Sequence, residues 1–241
     1  MRHFAKGFLI GTLCICLLGL VWLFAFQPRL TAQEAQDLKT QFTTIPTDDL
    51  SGDGPAGKEE PQLDFKALQT RYPDVKGWLT IPGTVVDYPV MQSSAQDPEQ
   101  YLRRNYDMKW RMAGSLFFQY GCMPDSRNLV VFGHNMNDGT MFAVLKKMAD
   151  PKFRQEHPTA VLQTADGTHE YRILTALTTD TTQLPFNRTQ FAGDEDFLSF
   201  AGSMLAGTGY TAQAGDRLLT LVTCAYTWDG ARTVVVAVEQ N

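Results

Sequence analysis

The sequence is poor in the residues that mark several common function classes. It holds four cysteines in 241 residues, Cys14, Cys16, Cys122 and Cys224. Their spacing fits no metal-ligand pattern, and so few thiols exclude a disulfide-dense scaffold. Histidines also number only four. No lysine- or arginine-rich run occurs after residue 30, and the formal net charge is -5. That balance argues against the basic face of a nucleic-acid binder. There is no P-loop, no dinucleotide-binding glycine fingerprint and no internal repeat.

Hydrophobic residues make up 44% of the chain and charged ones 20%, a composition that supports a packed core. The longest uncharged apolar run is at the start, Phe8 to Phe26. It is about 19 residues, or roughly 28 Å as a helix, which matches a hydrocarbon core. A cleaved signal peptide has a shorter apolar stretch, and no small-x-small site follows Phe26. The run reads as an uncleaved transmembrane signal anchor, with residues 1–7 as a cytoplasmic tail. Arg2 and Lys6 precede it and are expected to stay inside, which places the rest of the chain outside the cell. Residues 27–62 read as a flexible extracellular stalk. "TAQEAQDLKTQF" predicts a helical turn or two, and "TIPTDDLSGDGPAGKEEPQ" has almost no apolar residue to offset the entropy of ordering.

A folded domain is expected over 63–241. Leu63, Ala67 and Leu68 are at helical spacing before Tyr72-Pro73. The texture then becomes β-rich. "GWLTIPGTVVDYPVMQ" is two strands broken at Pro82-Gly83. "GSLFFQY", "NLVVFGH", "TAVLQT", "HEYRILTALTT", "RLLTLVTCAY" and "ARTVVVAVE" follow. Helical interruptions are few: "DPEQYLRRNY", "GTMFAVLKKMAD" and "DEDFLSFAGSML". About eight short strands without regular strand–helix alternation predict a mostly β fold, a closed β-barrel with a few helices.

Three residues stand out chemically. Cys224 ends a run that is apolar on both faces. Taken alone, it fits a small core residue, or one half of a disulfide to Cys122, as well as a nucleophile. A cysteine nucleophile needs a base or cation nearby and a donor for the developing oxyanion. His157 and His169 lie in polar segments and read as surface residues. His134 differs, because it follows the apolar strand "NLVVF" and opens the polar turn "NMNDGT", with Thr140 as the expected cap of the next helix. Arg232 opens the last strand. Symmetric pairing about Trp228 puts it directly opposite Cys224, on the same face. A tight turn at Asp229-Gly230 would pair it with Thr227 instead.

These residues resemble a known family. "TLVTC", Thr220 to Cys224, matches the TLxTC signature of sortases, the membrane-anchored cysteine transpeptidases of Gram-positive bacteria. Arg232 matches the sortase arginine. "VVFGHNMNDGTMFAVL", "GWLTIPGTVVDYPVMQ", "GSLFF" and the helix "DEDFLSFAGSML" resemble class B members over about residues 63–239. One departure is Cys122 in "QYGCMPDSRN", where a more acidic stretch is expected.

The resemblance implies an eight-stranded sortase-type barrel and a division of roles. Cys224 would be the nucleophile. It would attack a threonine carbonyl in the C-terminal sorting signal of a surface protein and form a thioacyl-enzyme. His134 would be general acid and then base. Arg232 would hold the substrate or stabilise the oxyanion. Thr223, Leu102 and Tyr101 would border the substrate groove. The acceptor would be an amine of peptidoglycan, or of a pilin. No metal and no organic cofactor is implied. Two other readings compete: another extracellular cysteine peptidase, and a non-catalytic anchored β-barrel that binds a partner. Papain-like enzymes carry the cysteine before the histidine, the reverse of the order here.

Overall fold

The computed structural model describes residues 2–22, 27–44, 62–123 and 125–240. Helix α1 (Arg2–Val21) and helix α2 (Gln27–Gln41) come first. A two-stranded ladder joins β1 (Thr43–Thr44) to β2 (Gln62–Leu63), and α3 (Phe65–Arg71) follows, capped by Asp64. Eight strands then close a barrel. They are β3 (Val75–Thr80), β4 (Asp87–Gln92), β5 (Leu116–Phe118), β6 (Asn128–Phe132), β7 (Thr159–Thr164), β8 (Gly167–Thr179), β9 (Leu218–Cys224) and β10 (Arg232–Glu239). Around the barrel the order is β10-β8-β7-β3-β4-β5-β6-β9, with β9 pairing back to β10. Two neighbours are parallel, β4 with β5 and β6 with β9. The expected mostly β closed barrel is therefore present.

The pleat explains why β9 and β10 are apolar on both faces. Side chains alternate across a strand. Leu219, Leu221, Val235 and Ala237 point into the barrel, with Leu129 and Val131 of β6. Leu218, Val222, Val234, Val236 and Val238 point outward, with Val130 of β6. After the short helix α4 (Pro151–Glu156), that outer face is covered by α5 (Asp194–Met204), whose Phe197, Phe200 and Met204 are buried on it, and by Phe186 from the loop after β8. The cover stops short of the Cys224 end of β9, which leaves a groove there.

The described residues differ from the sequence expectations at three places. The stalk reading fails over its first half. Within α2, Thr31, Ala35 and Leu38 form a buried stripe at helical spacing, Glu34 is ion-paired with Arg111, and Lys39 reaches Asp87 at 2.7 Å. Small side chains and charge pairs dock this helix, so it carries no strong hydrophobic signal; residues 45–61 lie outside the described set. Thr140 caps no helix. Its N–H and hydroxyl both donate to Asp138, Met141 takes a left-handed φ of 55°, and a 3-10 helix runs Phe142–Ala149. His169 is half-buried rather than solvated, with Nδ1 2.7 Å from Glu239. No helix among the described residues is long and apolar enough to cross a membrane. The last four residues of the expected span, 23–26, fall outside that set.

Candidate active site

Cys224 is the last residue of β9 and Arg232 the first of β10, and the two are directly paired. The register is the one centred on Trp228. Both side chains lie on the outer face with Val222 and Val234, one step beyond the region covered by α5.

His134 reaches the same end of the barrel from β6. Strands β6 and β9 run parallel, with Phe132 beside Val222. Three hydrogen bonds then tie the two strand ends together. Gly133 N donates to Val222 O at 3.1 Å, Thr223 Oγ1 donates to Gly133 O at 2.7 Å, and Asn135 Nδ2 donates to Cys224 O at 2.9 Å. They bracket His134 on both sides in sequence, so its position follows that of Cys224. The turn is closed by an Asn135–Met141 bridge and by Phe142 N donating to His134 O at 2.9 Å. Gly133 has to be glycine, since an added Cβ would lie 2.4 Å from Leu116 and 2.7 Å from Phe142.

The imidazole has a defined tautomer. Nε2 lies 2.8 Å from Leu102 O, and a carbonyl only accepts, so Nε2 carries the proton. In the neutral ring Nδ1 is then the atom able to take a proton. Burial holds the His134 pKa below its ordinary 6.5, outweighing the stabilising Leu102 bond, and the Arg103 charge lowers it further. The resting ring at neutral pH is uncharged. Leu102 is presented by a 3-10 turn, Gln100–Arg103. Gly114, at φ +57°, lets this turn approach closely, because a Cβ there would meet Leu102 O at 2.4 Å.

Arg232 donates from Nη1 to Gly230 O and Ala231 O, at 3.1 and 3.0 Å. No carboxylate of the described residues is within ion-pairing distance of it. Its remaining N–H donors form an uncompensated positive centre beside the thiol, of the kind that stabilises developing negative charge.

These residues share one groove of about 440 Å³, lined by Cys224, His134, Arg232, Thr223 and Leu102 together with Glu99, Gln119, Phe132 and Asn187. Tyr101 is not on its lining. The ring is fully buried and its hydroxyl donates to Asp74 at 2.6 Å, so it anchors the turn that offers Leu102. Thr223 contacts the groove, but its hydroxyl is committed to Gly133. Cys122 is fully buried in the barrel core, with its thiol 3.5 Å from Asn128 O and its pKa raised by burial. It is a free thiol, not half of a disulfide to Cys224. Sequence reasoning missed Asn135, whose polar turn "HNMND" was a usable signal. It also missed Gln119 and Asn187, which had none.

Comparisons with known proteins give the family. The Sortase domain model matches residues 79–240. The chain belongs to the sortase family, and to its class B. Sortase B of Listeria monocytogenes is 31% identical over 234 residues, covering 91% of each chain. A solved Bacillus anthracis protein described as similar to sortase B is 32% identical with a TM-score of 0.71, covering 90% of this chain and 98% of its own. A Staphylococcus aureus sortase B–substrate complex is 28% identical with a TM-score of 0.65, covering 73% and 84%. As a sortase, the chain is a cysteine transpeptidase. Of the competing readings, the papain-like peptidase and the non-catalytic barrel are thereby set aside.

Proposed function

We propose that this sortase cleaves the C-terminal sorting signal of surface proteins after threonine and transfers the new acyl end to an amine. The observation that carries this reading is the shared groove, in which a thiol, a neutral imidazole and an unpaired guanidinium meet at the paired ends of β6, β9 and β10. Sγ of Cys224 bonds to the threonine carbonyl carbon while Nδ1 of His134 takes the thiol proton. Arg232 N–H groups face the negative charge that develops on the carbonyl oxygen. The C–N bond then breaks, and His134 returns the proton to the leaving nitrogen. A thioester is left on Cys224. An incoming amine attacks it, loses a proton to Nδ1 and restores the thiol.

The acceptor is an amine of peptidoglycan or of a pilin. Thr223 and Leu102 border the bound peptide. Residues 8–26 anchor the chain in the membrane, with the N-terminus cytoplasmic and the barrel outside the cell. The exposed apolar side chains of α1, among them Ile15, Leu18 and Val21, support the anchor. Peptide turnover with and without an added amine tests the activity. Diversion of the cleaved acyl group into an amide supports transfer, and a product that stays the free acid at all amine concentrations contradicts it.

A further inference from the structure

Part of the groove's lining comes from a loop, not from the barrel. The loop Asp180–Ala192 runs from the end of β8 towards α5, and Asn187 from it lines the groove. Loops of this length are ordinarily mobile. This one is tied down at its middle by a side chain from beneath. Asn128, the first residue of β6, is fully buried on the outer face of the barrel. Its Nδ2 donates to Phe186 O at 3.0 Å and to Arg188 O at 2.8 Å, the carbonyls on either side of Asn187. Its Oδ1 accepts from Thr220 Oγ1 at 2.7 Å. That bond sets which end of the amide faces the loop, so both N–H donors point at the loop backbone.

Two further bonds act on the same loop. Gln119 Nε2 donates to Asn187 O at 2.6 Å, and Trp228 Nε1 donates to Asp180 at 2.9 Å. Phe186 is buried against the outer-face core. A buried amide that satisfies two loop carbonyls at once costs more to lose than a surface bond, because it leaves them desolvated and unpaired.

We propose that Asn128 is a positioning residue for peptide recognition. Its amide holds Phe186–Arg188 as a preformed wall, so that Asn187 is presented to the bound sorting-signal peptide before binding rather than ordered by it. Preorganisation of this kind shows up in substrate affinity and leaves the bond-making step alone. The inference rests on the acyl-transfer reading above.

The test uses the full chain in detergent micelles and quenched-fluorescent peptides from a library with a fixed threonine. Asn128→Ala should raise KM about tenfold, the size expected for a lost buried hydrogen-bond pair, with kcat changed by less than about twofold. Asn187→Ala should raise KM similarly, and the double variant should be less than additive, because Asn128 acts through the loop. Thr220→Val should raise KM by a smaller factor and Thr220→Ser should restore it. Alkylation of Cys224 by iodoacetamide should proceed at the parent rate in every variant. A merely structural role would slow alkylation and lower kcat together with the KM change, and that result overturns the proposal. So does an unchanged KM in folded Asn128→Ala. If Asn128→Ala does not fold, Thr220→Val decides, and an unchanged KM there counts against the clamp. Absence of turnover by the parent protein with every peptide would instead defeat the acyl-transfer reading, and the inference with it.

Discussion

Cys224 and Arg232 face each other across the β9–β10 ladder, at the one end of that sheet face left uncovered by α5. The pairing sets Arg232 beside the thiol, and no carboxylate of the described residues ion-pairs with it. Arg232→Ala should lower kcat/KM by on the order of 10²–10³-fold, the range for loss of an oxyanion donor. Arg232→Lys keeps the charge but loses the fork of donors, and should recover only part of that loss. Steady-state kinetics checks both, and equal activity of the lysine and arginine forms would show that charge alone matters.

His134 is expected to set the acid limb of the pH profile. Its folded pKa lies below 6.5 because burial disfavours the imidazolium. Activity should therefore persist below pH 6.5 and fall only as the buried ring protonates, since Nδ1 then cannot take a proton. The same shift has a stability consequence. The unfolded chain binds a proton at this residue before the folded one does. Its contribution is full above about 6.5 and is lost as pH falls from there to the folded value. His134→Gln should remove the acid limb along with most of the turnover, and a pH series of single-turnover rates reads this out.

Gly133 carries a steric prediction. A methyl group at this position collides with Leu116 and Phe142, so the segment after β6 or its neighbours have to shift. Gly133→Ala should cost about 1–3 kcal/mol of stability, as overpacked core positions do. It should lower kcat more than KM, because the displaced residue next in sequence is His134. Thermal melts and kinetics on the same preparation test the two halves of this expectation.

Asp87 predicts how α2 is held. Burial alone would raise its carboxyl pKa, but hydrogen bonds from Lys39, Trp78 and Gln36 outweigh burial and bring it below the usual 3.8. Asp87→Asn should destabilise the protein by about 1–3 kcal/mol near neutral pH. A depressed carboxylate contributes fully above its unfolded pKa, so the difference from the parent should shrink as pH falls through and below about 3.8. Denaturant midpoints at pH 7 and pH 3 check it.

Much of the barrel was legible because each strand has a local signature. Alternation in "TAVLQT" and the doubly apolar runs of β9 and β10 mark half-buried and fully buried strands. The short loop between Cys224 and Arg232 left only two sensible registers. The site was legible where its residues sit at strand ends. It was illegible where tertiary contacts decide. Thr31, Ala35 and Leu38 are too small a stripe to announce a docked helix. Nothing near Asn187 signals that the distant side chain of Asn128 bonds the carbonyls on either side of it. The resemblance puts Tyr101 at the groove, whereas its hydroxyl is spent on Asp74. In a 3-10 turn, adjacent residues point in quite different directions.

Acyl transfer as proposed requires that Cys224 carry the acyl group and that an amine resolve the thioester. Intact-mass spectrometry of the full chain, quenched by acid during turnover of a threonine-containing sorting-signal peptide, tests this directly. The expected result is an added mass equal to the N-terminal fragment, located on the Cys224 peptide, absent from Cys224→Ala, and lost on addition of an amine with the matching amide appearing. Turnover in Cys224→Ala, or the adduct on any residue other than Cys224, would contradict it.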